Sequence, residues 1–221
     1  MDMIKEISCA PVSRRESRRL DRREIILNVA AQSFLEQGYA STTMSSIAAA
    51  LGGSKGTLWS HFPSKEALFE AVIDRATAAY RAKLSEILDT RGDFSTTLKR
   101  VCAGIMEKIL SPEAVSLYRL VVAEAGRFPE MGRIFYNRGP RRTWELLAEF
   151  LSSAMNDGII RRADPLDAAR FLVSLCMADC HQQLLMGMIQ SAPPEAVERD
   201  IDRAIAVFMN TFAADAARLD G

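Results

Sequence analysis

The stretch Thr43–Lys65, TMSSIAAALGGSKGTLWSHFPSK, decides the fold of this chain. Thr43 is a good N-cap for a short helix over Met44 to Leu51, with Ile47, Ala48 and Leu51 turned inward. No Glu or Gln stands three residues after Thr43, so a capping box is not expected. Gly52-Gly53 ends that helix and permits a tight reversal. Ser54 caps a second short helix from Lys55, which must stop by about Phe62 because Pro63 restricts the residue before it. Ser64 then caps a longer helix. Two short helices across a tight turn, braced by a longer helix on each side, describe a helix-turn-helix. In that unit the second helix enters the DNA major groove by its N-terminal residues. Lys55, Gly56 and Thr57 are small or polar, as groove entry requires. Gly56 costs a helix about 1 kcal/mol relative to alanine, which implies a need for close backbone approach. Leu58 and Phe62, at i and i+4, anchor the helix to the core, leaving Trp59, Ser60 and His61 to face the phosphate backbone.

Outward from this block the chain reads as all-α. On the N-terminal side, Ile25, Ile26, Val29, Ala30, Ser33 and Phe34 recur at helical spacing, and Gly38 ends the run. On the C-terminal side a helix from Lys65 to about Leu88 carries Leu68, Phe69, Val72, Ile73, Ala76 and Ala79 as its apolar stripe. Helices are expected over 94–110, 113–127, 131–157 (split near Gly139-Pro140), 165–188 and 195–217. Three parts follow: a flexible basic arm over 1–21, a DNA-binding domain over 22–66 and a helical ligand-binding and dimerisation domain over 67–221.

The chain has 221 residues and a formal net charge of zero, but the total conceals its distribution. Arg14, Arg15, Arg18, Arg19, Arg22 and Arg23 are opposed locally only by Glu16 and Asp21. If this segment is helical, 14/18/22 and 15/19/23 form two adjacent stripes suited to phosphates or a minor groove; the other reading is a solvated tail. No stretch reaches the roughly 18 apolar residues of a membrane span, so no membrane partner and a cytoplasmic location are expected. Cys9, Cys102, Cys176 and Cys180 form no CxxC pair. Read on one helix, Cys176 and Cys180 share a face that His181 leaves by about 100°, so the three fit no tetrahedral metal and no metal or cofactor is expected. No GxSxG, phosphate loop, HExxH or EF-hand pattern appears, and an enzyme is not expected.

At these residues the chain resembles the TetR family of bacterial regulators. The likeness runs from Arg23 to Ile73 and rests on FLEQGY (34–39), on T-M-x-x-I-A from Thr43, and above all on SKGTLWSHFPSKEALF (54–69). The stretch YRLVVAEAGRFPEMGRIFYNRGPRR (118–142) is similar to the C-terminal region of an AefR-like subgroup. The resemblance implies a dimeric repressor that binds a pseudo-palindromic double-stranded operator and is released by a small molecule. By the same resemblance Thr43 and Lys65 contact phosphate, Lys55, Gly56 and Thr57 lie at the base edges, Trp59 and His61 meet the backbone, and Ser54 is counted among the DNA-binding residues. The chain departs from the family pattern in two places: Trp59 replaces a usual tyrosine, and Gly53 a frequent valine. Both leave the operator sequence unpredictable.

In the body, Met106, Ile109, Tyr118, Phe135, Trp144, Phe171, Met177 and Asp179 are candidates to line a site for an apolar or amphipathic ligand. Asp179, read as a carboxylate inside an apolar helix, needs a partner there. Ile201, Ile205, Phe208 and Phe212, with Phe171, Leu172, Leu175 and Cys176, form a stripe that would build a four-helix dimer interface or close the monomer core. The competing function is a regulator governed by a protein partner, or one without a small ligand.

Overall fold

The computed structural model describes residues 14–52, 55–89 and 92–214, without the side chains of Arg14, Arg15 and Lys55. Cys9, Gly53 and Ser54 lie outside the described residues. The described residues form eleven helices; no strand occurs among them beyond one antiparallel bridge between Ile160 and Ala213. The chain divides into two compact units between Leu68 and Phe69.

The first unit holds α1 (Arg14–Ser41), α2 (Met44–Ala50), α3 (Lys55–His61) and the opening turn of α4 (Lys65–Asp89). Helix α1 starts at Arg14 rather than Arg22, so the C-terminal part of the expected arm is helical. The helical path breaks at Gly38 (φ 81°, ψ 163°), a conformation essentially reserved for glycine. Thr42, fully buried, seals this corner with its hydroxyl 2.7 Å from the Gly38 carbonyl and 3.1 Å from that of Ser33. Ile26, Leu27, Ala30, Phe34, Ile47, Ala48, Leu58, Phe62 and Leu68 are buried. Ile25, expected inward, is 48% exposed, whereas Leu27, two residues on, is buried beside Ile26.

The second unit contains the rest of α4, then α5 (Phe94–Ile109), α6 (Pro112–Glu124), α7 (Pro129–Arg138), α8 (Pro140–Asn156), α9 (Pro165–Cys176), α10 (Cys180–Leu185) and α11 (Pro194–Phe212). Proline opens α6, α7, α8, α9 and α11, where its missing N–H is no loss and its fixed φ suits the first turn. Along α4 the inward row drifts from Phe69 and Ile73 to Leu84 and Ile87, which leaves Ala76 and Ala79 exposed, contrary to the sequence stripe. Leu98, Cys102 and Met106 of α5, Leu147 and Leu151 of α8, Leu172 and Cys176 of α9 and Phe208 of α11 make one continuous core.

The segment 165–188 is not one helix: it breaks over Met177–Asp179, and Asp179 sits outside helical geometry (φ −126°, ψ −86°). The buried carboxylate of Asp200, on α11, accepts the Cys180 N–H at 3.0 Å and so supplies a partner for a helix N-terminus that would otherwise be orphaned. Cys176 and Cys180 therefore do not share one helix face. The neighbouring Cys176 thiol, then burial, pushes the Cys102 thiol up; burial, then Asp200, raises Cys180 to about 11. Of the two readings of the apolar stripe on α9 and α11, closure of the monomer core is the one that its residues fill. Ile201, Phe208, Phe212, Leu172 and Cys176 belong to the core of the monomer, with Ile205 and Leu175 packed against it. The apolar residues that α9 and α11 leave outward are Phe171 and Val207, 59% and 49% exposed.

Candidate nucleic-acid interface

Helix α3 is short, and its two faces differ sharply. Leu58 and Phe62 are buried at 1% and 4% exposure, which pins one face to the unit's core. Gly56, Trp59 and Ser60 face solvent, with Thr57 and His61 half-buried. The Ser60 hydroxyl donates to the Thr57 carbonyl at 2.8 Å, so it satisfies the helix's own backbone from the exposed side. Gly52, at φ 61°, makes the left-handed turn that an L side chain resists, and this reversal separates α2 from the segment leading to α3. Lys55 opens α3, but its side chain and all of Ser54 lie outside the described residues.

Thr43 is held at the start of α2 by a capping box after all. Its hydroxyl accepts the Ser46 N–H at 3.0 Å, and the Ser46 hydroxyl accepts the Thr43 N–H at 3.0 Å. Serine fills the role that the sequence rule reserves for Glu or Gln. Lys65 is placed with equal definition: its amine donates to the Tyr39 carbonyl at 2.8 Å and lies 4.1 Å from the Tyr39 ring centroid. That ring stacks on Phe34 at 5.5 Å, and its hydroxyl donates to Glu66 at 3.4 Å. The α1–α4 corner is thus fixed by a cation over an aromatic face as well as by apolar packing.

The electrostatics of this unit reach α3 from α1. The Arg23 guanidinium lies 5.4 Å from the Phe62 ring centroid. The His61 imidazole has its proton affinity lowered, first by burial and then by the positive charges of Arg19, Arg23 and Arg22.

The expected ligand residues in the body fare unevenly. Tyr118 meets Phe135 edge-on at 6.0 Å and His181 edge-on at 5.4 Å, so two of them converge on a histidine that was not among the candidates. His181 is 2% exposed, and its Nδ1 has no hydrogen-bond partner among the described residues. Only the break before α10 turns His181 toward Tyr118, so helical periodicity alone gave no signal for it. Trp144 packs on the core, near Tyr136 at 5.4 Å, and its indole N–H is buried without a partner. Met106 is fully buried, and Ile109 and Met177 pack against the same core. Phe171 is corrected as a lining residue, because it is outward. Asp179 is corrected too: it is half-exposed ahead of α10, hydrogen-bonded by Gln183 and 3.7 Å from Arg203, and not in an apolar helix. An open groove of about 520 Å³ on α4, α7 and α8 has none of the eight candidates in its lining. Its arginines are ion-paired: Arg138 with Glu70, and Arg141 with Glu145 at 3.0 Å.

Burial holds the His181 imidazole below its ordinary value of 6.5. The unfolded chain therefore takes up this proton more readily than the folded one. The stability tied to neutral His181 is fully present above about pH 6.5 and is lost as pH falls below it, with a slope of at most about 1.4 kcal/mol per pH unit. His181→Phe should flatten the acid limb of the stability–pH curve in denaturant titrations. An unaltered limb would show that burial does not govern this group.

A family model described as "Bacterial regulatory proteins, tetR family" matches residues 26–72. Another, described as "AefR-like transcriptional repressor, C-terminal domain", matches 96–214. HTH-type transcriptional regulator UidR of Escherichia coli K12 is 30% identical over 139 residues, 61% of this chain and 67% of that one. HTH-type transcriptional regulator YhgD of Bacillus subtilis is 24% identical over 163 residues, 72% of this chain and 82% of that one. Among solved structures, "Flavonoid-responsive Regulator FrrA" superposes with a TM-score of 0.75 at 30% identity, over 90% of this chain and 99% of that one.

Proposed function

Because the chain belongs to the TetR family of bacterial transcriptional regulators, we propose that it is a repressor in the cytoplasm that binds a pseudo-palindromic operator as a dimer and leaves it when its helical body takes up a small molecule. The observation that carries this reading is the two-faced α3: Leu58 and Phe62 are buried while Gly56, Trp59 and Ser60 stand open to a groove. In a helix-turn-helix the N-terminal residues of this helix reach base edges, so Lys55, Gly56 and Thr57 read sequence. Ser54 precedes them in sequence and joins the DNA-contacting set. Thr43, Trp59 and His61 contact phosphates. Lys65 joins them only by sharing an amine already bound to Tyr39.

One short reading helix carries too few contacts to select a site, and a two-fold pair on two half-sites supplies the rest. The outward apolar residues Phe171 and Val207 suit a surface shared between two copies. Ligand release needs only a modest preference. A ligand that favours the non-binding state by about 1–3 kcal/mol weakens operator affinity some 5- to 150-fold.

The place to hold that ligand is the body around Tyr118, Phe135 and His181, with Met106, Ile109, Trp144 and Met177 as the apolar surround. Among the described residues His181 Nδ1 and Trp144 Nε1 are buried polar atoms without hydrogen-bond partners, and a ligand hydroxyl at His181 or an acceptor at Trp144 would supply one. The flavonoid-responsive relative makes planar phenols the first class to try. Selection of duplexes from a randomised pool should return a two-fold symmetric site. Thr57→Ala should then relax discrimination at one position of each half-site by about 1–3 kcal/mol. Recovery of no symmetric sequence would refute the operator reading, and phenols that leave the complex intact would refute the ligand class.

A further inference from the structure

We propose that the N-terminal end of α1 is a second DNA-contacting element, a helical extension in which Arg18, Arg19 and Arg22 lie along the phosphate backbone beside α3. The inference rests on α3 reading DNA, and it concerns a surface that the helix-turn-helix itself does not include.

Three observations point the same way. The first is that α1 is helical from Arg14 onward, so the arginine run is a ruled surface and not a scattered one. At 1.5 Å per residue, Arg18 to Arg23 spans about 7.5 Å of helix. Arg18 and Arg22 occupy one row and Arg19 and Arg23 the next, with Arg18 and Arg19 exposed and Arg22 half-buried. The second is where this surface lies. Arg23 sets its guanidinium over the Phe62 ring at 5.4 Å, which ties this end of α1 to the residue that follows α3. The depressed proton affinity of His61 agrees, since after burial the charges of Arg19, Arg23 and Arg22 are its causes. The third is the local balance of charge. Over 14–23 six arginines are opposed only by Glu16, in the first turn of α1, and by Asp21. An anion outside the protein offsets that excess. A chain of zero net charge that concentrates its arginines beside a reading helix has the charge pattern of a phosphate contact.

Phosphate contacts strengthen binding without reading bases, and each adds to its salt dependence. The test uses the full chain, the duplex that the wild-type protein selects from a randomised pool, and a duplex of random sequence. In Arg18→Gln/Arg19→Gln/Arg22→Gln the plot of log affinity against log salt should become shallower by about 2 to 3. Affinity for both duplexes should fall by the same factor, so the ratio between them stays put. Arg18→Lys/Arg19→Lys/Arg22→Lys should keep the wild-type slope. Glutamine is a good helix former, so α1 persists in the first variant. An unchanged slope in the glutamine variant, with wild-type binding intact, overturns the extension and leaves the proposed function standing. Weakened binding with the original slope, shared by the lysine variant, makes these arginines internal supports and also overturns it. A wild-type chain that ignores every duplex defeats the underlying reading instead.

Discussion

Phe62→Ala should abolish operator binding while the body of the protein stays folded. The ring is 4% exposed and stands immediately after α3, where it fixes the end of the helix that Leu58 fixes one turn earlier. Truncating a buried phenylalanine costs about 3–5 kcal/mol, from lost burial and from the cavity left behind. The variant also removes the platform for Arg23, so α1 loses a contact to the end of α3 at the same stroke. The first unit is small, and at roughly 0.05–0.15 kcal/mol per residue it has about as much stability as this one change removes. Hydrogen exchange should therefore show loss of protection across α1, α2 and α3, with α5, α8, α9 and α11 unaffected. The contrast is Thr57→Ala, which leaves those amides protected and alters only base preference. A Phe62→Ala protein that still binds its operator at wild-type affinity would show that α3 is not held in place by this core.

Legibility in the sequence followed the range of the forces involved. The reading unit was legible because local rules place it: Thr43 caps, Gly52 reverses the chain, Pro63 ends α3, and Leu58 with Phe62 sets its buried face. The capping box escaped because a serine at position 46 does by its hydroxyl what the rule assigns to a longer carboxamide or carboxylate. The break at Asp179 escaped because its cause is Asp200, distant in sequence and meaningful only once α11 has docked. With that break unseen, Cys180 and His181 were given the wrong directions, and His181 was not connected to Tyr118. The apolar row of α11 was readable as a row, but periodicity cannot say whether its partner is the same chain or another copy. The structure places Phe208 and Phe212 in the core of the monomer, which moves any interface to the flank of that row.

That distinction gives the second large effect. Phe208 is fully buried, and its ring stacks on Phe212 at 4.7 Å. Phe208→Ala should cost the body about 3–5 kcal/mol and lower its unfolding midpoint in urea. Phe171→Glu and Val207→Glu should leave the packing of the monomer intact, since each side chain stands in water there, and should lower that midpoint only by the concentration-dependent share that pairing of two copies adds. At a contact between two copies, however, each places a carboxylate in an apolar seam, and a two-fold axis brings its counterpart to the same seam. Sedimentation should find these two variants monomeric, folded and unable to hold a two-half-site operator, because the second reading helix is no longer delivered with the first. The pair of outcomes separates folding from assembly: Phe208→Ala loses stability at every protein concentration, and the glutamate variants lose only the part that depends on concentration. If the glutamate variants sediment as wild-type dimers, the outward faces of α9 and α11 are not where two copies meet.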